Sequence, residues 1–304
     1  MAFLVRKARR VTQPTYLHRV ADRHVPAVRA VFLTAVERAW AATDPQQLAI
    51  QHDFAGNGIA WNVFDAELDR SLDVLRLVVR DAAAAEVRSL NRRGLRIIAK
   101  QEDDPPWLTL VLDLLNPEAI LFAARSANLF RQNLTQQTQQ AIRAIIVRAQ
   151  QRGLSVTTQQ AEIMELLEAV FGLNERQAIA IDNLRLRLVE GGMAEARIAE
   201  RVRAQAERYL RARALMIARH ETMVAATGGQ HAIWQQAADN GILAPDQQRS
   251  WLAAGDRRVC PICLSLDGLM APLNGTFLST YNGVAYAGPP SHISCRCSLS
   301  LAFD

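Results

Sequence analysis

Four cysteines and one histidine near the end of the chain carry the clearest chemistry. Cys260-Pro-Ile-Cys263 is followed, after 28 residues, by His292-Ile-Ser-Cys295-Arg-Cys297. A Cys-x-x-Cys knuckle presents two thiolates to one tetrahedral ion. A second Cys/His cluster beyond a loop of this length completes the pattern of a structural zinc site. Five candidate ligands compete for four positions. Cys260, Cys263 and Cys295 are the expected ligands, and the fourth lies open between His292 and Cys297. Two disulfides, or four reduced core thiols, are the competing readings. A catalytic metal would need a general base, for which Asp256 and Asp267 are the candidates. The nucleobase-deaminase pattern is not met: His220 and Glu221 are adjacent rather than spaced, and the order here is Cys-Pro-Ile-Cys.

The elements around this cluster change character near Trp251. Asn274-Gly275 and Asn282-Gly283 are hairpin-turn dipeptides, and Thr276, Phe277, Tyr281, Val284 and Tyr286 suit short strands. Upstream the periodicity is helical. Trp61, Phe64, Leu68, Leu72, Leu75 and Val79 fall on one face of a long helix, with Asp65, Glu67, Asp69, Arg70 and Asp73 opposite and Gly94 as its end. Pro105-Pro106 interrupts. Asn116-Pro117-Glu118 then starts a helix that Gly153 closes, with Phe130, Leu134, Ala141 and Ile145 along it. Thr157 or Thr158 caps the next. Asn174 caps another, which Gly191-Gly192 ends. A further helix carries Ile198, Val202, Ala206 and Tyr209 and leads into a segment through Glu221, with Gly228-Gly229 as punctuation after it. The expected fold is mainly α, helical hairpins or a bundle, with a small β-containing, zinc-stapled C-terminal cap. The expected divisions are a basic arm and helical region (1–104), a helical body (105–250) and the Cys/His cap (251–304). The helical body is expected to have a core of its own, independent of the cap.

With 304 residues, 50% of them hydrophobic and 21% charged, the composition is that of an ordinary globular protein. No run of apolar residues approaches a membrane span, and no apolar stretch behind the start suggests a secretory signal. The net charge is +5, and of 35 basic residues only Lys7 and Lys100 are lysines. Two basic stretches are candidates for nucleic-acid contact. One is the arm with Arg6, Lys7, Arg9 and Arg10. The other is the acid-free segment 119–161, where Arg131, Arg143, Arg148 and Arg152 stand among glutamines.

The run from Trp251 through Asp256-Arg-Arg-Val-Cys260-Pro-Ile-Cys263, Leu266-Asp267-Gly268 and Pro289-Pro290-Ser-His292-Ile-Ser-Cys295-Arg-Cys297 resembles the C-terminal signature of the phage Mu F-like head morphogenesis proteins. These are minor capsid proteins of tailed phages and prophages. Ile217-Ala-Arg219-His220-Glu221-Thr222 resembles the helix that precedes it, although the family usually has Thr where His220 stands. The likeness covers about residues 116–301. It implies a non-enzymatic, low-copy internal head component that joins the portal protein during procapsid assembly in the host cytoplasm. Scaffold or major capsid protein and packaged DNA are further expected partners, and a membrane is not. A DNA-binding protein escorting the genome is the alternative, and a metal-dependent hydrolase at the Cys/His cluster is a third. Arg219 and Glu221, two apart on a helix, would divide between bracing the cap and facing the helical core.

Overall fold

The computed structural model describes residues 15–44, 58–93, 98–99, 111–112, 117–152 and 160–302. Among these, helices dominate, as the periodicity predicts, and a small sheet region closes the chain. In chain order the elements are α1 (Thr15–Ala41), α2 (Trp61–Asp69), α3 (Ser71–Arg92), β1 (Ile98–Ala99), β2 (Val111–Leu112), α4 (Pro117–Gln151), α5 (Gln160–Val170), α6 (Glu175–Glu190) and α7 (Glu195–Asp239). Then follow β3 (Gln248–Leu252), α8 (Pro261–Leu266), β4 (Met270–Pro272), β5 (Phe277–Leu278), β6 (Ala285–Tyr286) and β7 (Ser298–Leu301). Among the described residues no helix is long and apolar enough to cross a membrane.

The chain divides into two compact units that are not continuous in sequence. One comprises residues 1–28, 72–126 and 216–304, the other 29–71 and 127–215. The arginine-bearing part of α4 belongs to the second unit and the Cys/His cap to the first.

In the second unit, Phe32, Phe64, Leu68, Phe130, Ile145 and Phe171 are buried. Phe171 is the aromatic hub, with ring centroids 5.5 Å from Trp40, 5.7 Å from Trp61 and 5.6 Å from Phe64. Gly172 follows it at φ +81°, and a Cβ there would stand 2.5 Å from Val36, so glycine is required on both counts. The expected start of α6 is met by a full capping box between Asn174 and Gln177, and Gly191-Gly192 ends that helix. The expected long helix from Trp61 is instead two, α2 and α3, parted at Arg70. Glu67, expected on the solvent side, is buried and bonded to Arg38 (2.7 Å) and Arg70 (2.8 Å). Pro117 is the first residue of α4, while Gly94, Asn116, Gly153, Thr157 and Thr158 lie outside the described residues.

In the first unit, one hydrophobic cluster joins Ala83, Val87 and Leu90 of α3 and Ile233, Trp234 and Ala237 of α7 to Trp251, Leu266, Phe277, Leu299 and Leu301 of the C-terminal region. The cap therefore has no separate core, contrary to the expectation of independence. Its sheet has the order β4-β3-β7, antiparallel throughout, with Ser250 opposite both Met270 and Ser300. β5 and β6 form a separate hairpin closed by Asn282-Gly283, as its sequence predicts. Asn274-Gly275 does not close a hairpin, because β4 pairs with β3 and the chain there crosses to a different sheet. Gly228-Gly229 does not punctuate either: α7 runs unbroken through both. A Cβ on Gly228 would lie 1.9 Å from the Phe122 ring, and one on Gly229 would lie 2.3 Å from the Val79 carbonyl oxygen. The two glycines let α7 meet its neighbours closely, which outweighs their poor helix propensity. A buried polar network ties the helices of this unit. Trp234 Nε1 donates to Glu86 (2.7 Å), Gln230 Nε2 donates to Glu86 (3.1 Å) and Tyr16 (2.9 Å), and the Tyr16 hydroxyl donates to Glu86.

Candidate metal centre

Cys260 is the N-cap of α8, and its sulfur accepts from the Cys263 backbone N–H at 3.4 Å. Pro261 fits the first helical position because its missing N–H is not needed there. One turn later Cys263 points to the same side, so the tight knuckle read from the spacing is present. The partner loop, 287–297, ends at β7. Within it the Cys295 N–H donates to the His292 carbonyl (3.1 Å), and Ser294 adopts φ +65°. This turn folds His292, Cys295 and Cys297 back over the knuckle.

Two triples result, and Cys263 belongs to both. In Cys260–Cys263–His292 and in Cys263–Cys295–Cys297 all ligand atoms lie within 4.8 Å of one another. His292 Nε2 is 3.0 Å from Cys260 Sγ and 3.1 Å from Cys263 Sγ, and Cys263 Sγ is 3.7 Å from Cys295 Sγ. All four cysteines are free. Two thiolates bound tetrahedrally to zinc at about 2.3 Å are separated by about 3.75 Å, so the Cys263–Cys295 spacing fits that ion. Soft sulfur donors with one imidazole suit zinc above magnesium or calcium. His292 Nδ1 lies 2.7 Å from the Ile293 carbonyl oxygen. As a donor to that carbonyl, Nδ1 carries the proton and leaves the Nε2 lone pair aimed at the two sulfurs.

Cys263, Cys295 and Cys297 are buried, while Cys260 and His292 are half-buried. The adjoining cavity, between Val259 and Arg296, measures about 20 Å³. That is room for one ion or water and too little for a substrate. The electrostatics of the thiols are divided. Hydrogen bonds from Cys297 and the Ser291 hydroxyl pull the Cys295 thiol down to about 4, whereas burial pushes Cys263 up to about 12. Cys297, which stabilises the Cys295 thiolate and is itself buried, is also pushed up.

The loops on either side are braced. Arg296 grips Asp256 with both guanidinium nitrogens (2.5 and 2.7 Å), and the Arg258 N–H adds a third bond at 2.9 Å. The Arg296 hydrogen bonds hold the Asp256 carboxyl far below the usual range. Asp267 Oδ1 accepts from the Ala253 N–H at 2.8 Å. Both candidate bases thus serve as loop fasteners.

Two residues near this cluster escaped sequence reasoning. His18 of α1 lies within electrostatic reach of Cys295 and Arg296, and His220 of α7 within reach of Cys295 and His292. Burial lowers both imidazoles, and His18 Nε2 and His220 Nδ1 lack hydrogen-bond partners among the described residues. His220 stands where the family resemblance leads one to expect Thr. No spacing signal links either histidine to a cluster so distant in sequence. Arg219 is exposed, and burial pushes the Glu221 carboxyl up to about 8.

The arginines proposed for nucleic-acid contact sit differently. Arg148 (2.6 Å) and Arg152 (2.8 Å) bind Asp182, which is 1% exposed. Arg131 pairs with Asp69 at 3.4 Å. Arg143 is exposed and has no ion pair among the described residues. Arg6, Lys7, Arg9 and Arg10 lie outside them.

Comparison with known proteins follows the same geography. No curated protein and no solved structure matches the chain. One family model, Phage Mu protein F like protein, matches residues 179–300, from within α6 through β7. The match spans all four cysteines and His292, so this Cys/His region and the helices leading into it are similar to the Phage Mu protein F like family.

Proposed function

We propose that the chain is a minor capsid, head morphogenesis protein of a tailed phage or prophage. In this reading it joins the portal protein, beside scaffold or major capsid protein, during procapsid assembly in the host cytoplasm, and it stays inside the head at low copy. The observation that carries the reading is the coincidence of the family match with the cap that the Cys/His cluster organises. Its role is structural rather than catalytic. The cavity at the cluster suits an ion alone, and Asp256 and Asp267 are already engaged in holding loops.

In the same reading Cys260, Cys263, His292 and Cys295 hold one zinc ion, with Cys297 hydrogen-bonding to Cys295 from outside the ligand set. Bound zinc would supply a covalent-strength link between the α8 knuckle and the 287–297 loop. The protein side of that link is the His292–Ile293 carbonyl bond that fixes the ring and the Asp256–Arg296 fork that steadies the loop.

Genome escort is the weaker reading, because three of the four helical arginines are already paired within the chain. Quantitative mass spectrometry of purified particles, with portal protein as the internal ratio, tests the assembly role. A few copies per portal are expected. Absence from both procapsids and mature particles would refute it.

A further inference from the structure

A second cavity, of about 370 Å³, opens beside α7 away from the cysteines. Its volume is within the range of small-ligand sites. Its walls are largely apolar, including Phe122 of α4, and no acidic residue lines it. The side chain that sets its charge is Arg249 of β3, only 4% exposed. Arg249 Nε donates to the Pro272 carbonyl (3.2 Å) and Nη2 to the Gly275 carbonyl (2.6 Å), and the guanidinium stands 5.2 Å over the Phe277 ring. These contacts fix its orientation but supply no negative charge. Among the described residues Arg249 has no ion pair, and a buried cation without a counter-ion is costly.

The remaining face of the guanidinium looks toward Gly288. A Cβ at Gly288 would lie 3.3 Å from Leu299 Cδ1, 3.8 Å from Arg249 Nη1 and 4.0 Å from Thr227 Cγ2, so the arginine and threonine side chains both border that glycine. Thr227 is 8% exposed, and its hydroxyl has no hydrogen-bond partner among the described residues. His231, one helical turn further along α7, also lines the cavity and leaves Nδ1 without a partner. Burial, assisted by the charge of Arg249, lowers His231 to about 4, so its ring is neutral at pH 7 and Arg249 alone carries the charge. Asn274, hydrogen-bonded to His231, offers an amide at the rim.

We infer that this cavity binds a small oxyanion, a phosphate or carboxylate group carried on an apolar body, with Arg249 Nη1 and the Thr227 hydroxyl as donors and Phe122 against the body. Guanidinium is the side chain best shaped for either anion. The site uses side chains other than those of the Cys/His cluster, although both border the 287–297 loop.

Phenyl phosphate and benzoate are suitable probes, since each carries one of the two anions on a ring. The full chain would be titrated with each, following binding by isothermal titration calorimetry. Saturable binding is expected in the wild type. Thr227→Val, which removes the hydroxyl and keeps the shape, should weaken it about fivefold. Arg249→Met should abolish it. Near-ultraviolet circular dichroism of the tryptophans reports whether each variant folds; should Arg249→Met fail to fold, the Thr227→Val comparison decides. The tighter probe identifies the anion as phosphate or carboxylate. Failure of both probes to saturate the wild type, or equal affinity in Thr227→Val, would overturn the inference.

Discussion

The two units handle buried acidic groups differently. In the second unit two buried carboxylates are answered by arginines: Asp182 by Arg148 and Arg152, Glu67 by Arg38 and Arg70. In the first unit the buried carboxylate of Glu86 is held by neutral donors, and near the C-terminus other polar groups converge without all being satisfied. Five metal-capable side chains crowd one small cavity, and among the described residues one ring nitrogen of each of two histidines beside them lacks a partner and Arg249 bonds only to carbonyls. A satisfied network specifies packing. An unsatisfied cluster implies something still to be bound. That difference separates the scaffold from the sites.

The largest effect should come from the cluster. Removing zinc with a chelator, or replacing Cys263 with Ser, should destabilise the first unit by about 4 kcal/mol where free metal stands roughly a thousandfold above its Kd. Because the cap shares its core with α3 and α7, melting should take helical circular dichroism with it. Loss of the cap alone, with helical signal intact, would break the shared-core account.

Gly229→Ala comes next. Its Cβ would meet the Val79 carbonyl oxygen at 2.3 Å, and backbone cannot yield as a side chain can. Thermal unfolding should show a loss of about 2–3 kcal/mol. An unchanged melting temperature would show that α7 and α3 are not as closely apposed as described.

Asp182→Ala should cost about 2 kcal/mol. Its two arginines keep some solvent contact and are not stranded as fully buried charges. Burial pushes this carboxyl up, but the hydrogen bonds and charges of Arg152 and Arg148 outweigh that, and the net shift is downward. A folded value below the unfolded one means that the contribution is complete above about pH 4. It is lost as pH falls through the folded value. Denaturant melts of wild type and variant should therefore differ at pH 7 and converge in strong acid. A constant difference would contradict the pairing.

Asp256→Asn should have the smallest effect. The fork to Arg296 is solvent-exposed, and exposed pairs contribute little. A large drop in zinc affinity in this variant would instead assign the fork a direct part in shaping the site.

Much of this was legible beforehand, and the exceptions have physical causes. The knuckle was readable because Cys-Pro-Ile-Cys encodes its own turn and N-cap. The Asn174 cap and the Asn282-Gly283 hairpin were local in the same sense. β3 and β7 were missed because nearly every residue in them is buried, so no period-two alternation marks them. Gly228-Gly229 read as a break because glycine signals one until the close neighbour is known. The shared core needs Ala83 and Leu90 beside Trp251 and Leu299, a pairing that no local pattern encodes. The same limit hid His18 and His220. It also leaves the choice between His292 and Cys297 open, since each completes a triple with Cys263.

Metal content of the purified chain tests the central claim most directly. Elemental analysis should find one equivalent of zinc in the wild type and in Cys297→Ser, and none retained through dialysis by His292→Ala. A wild type without metal would contradict the account. So would a Cys297→Ser variant that loses zinc while His292→Ala keeps it.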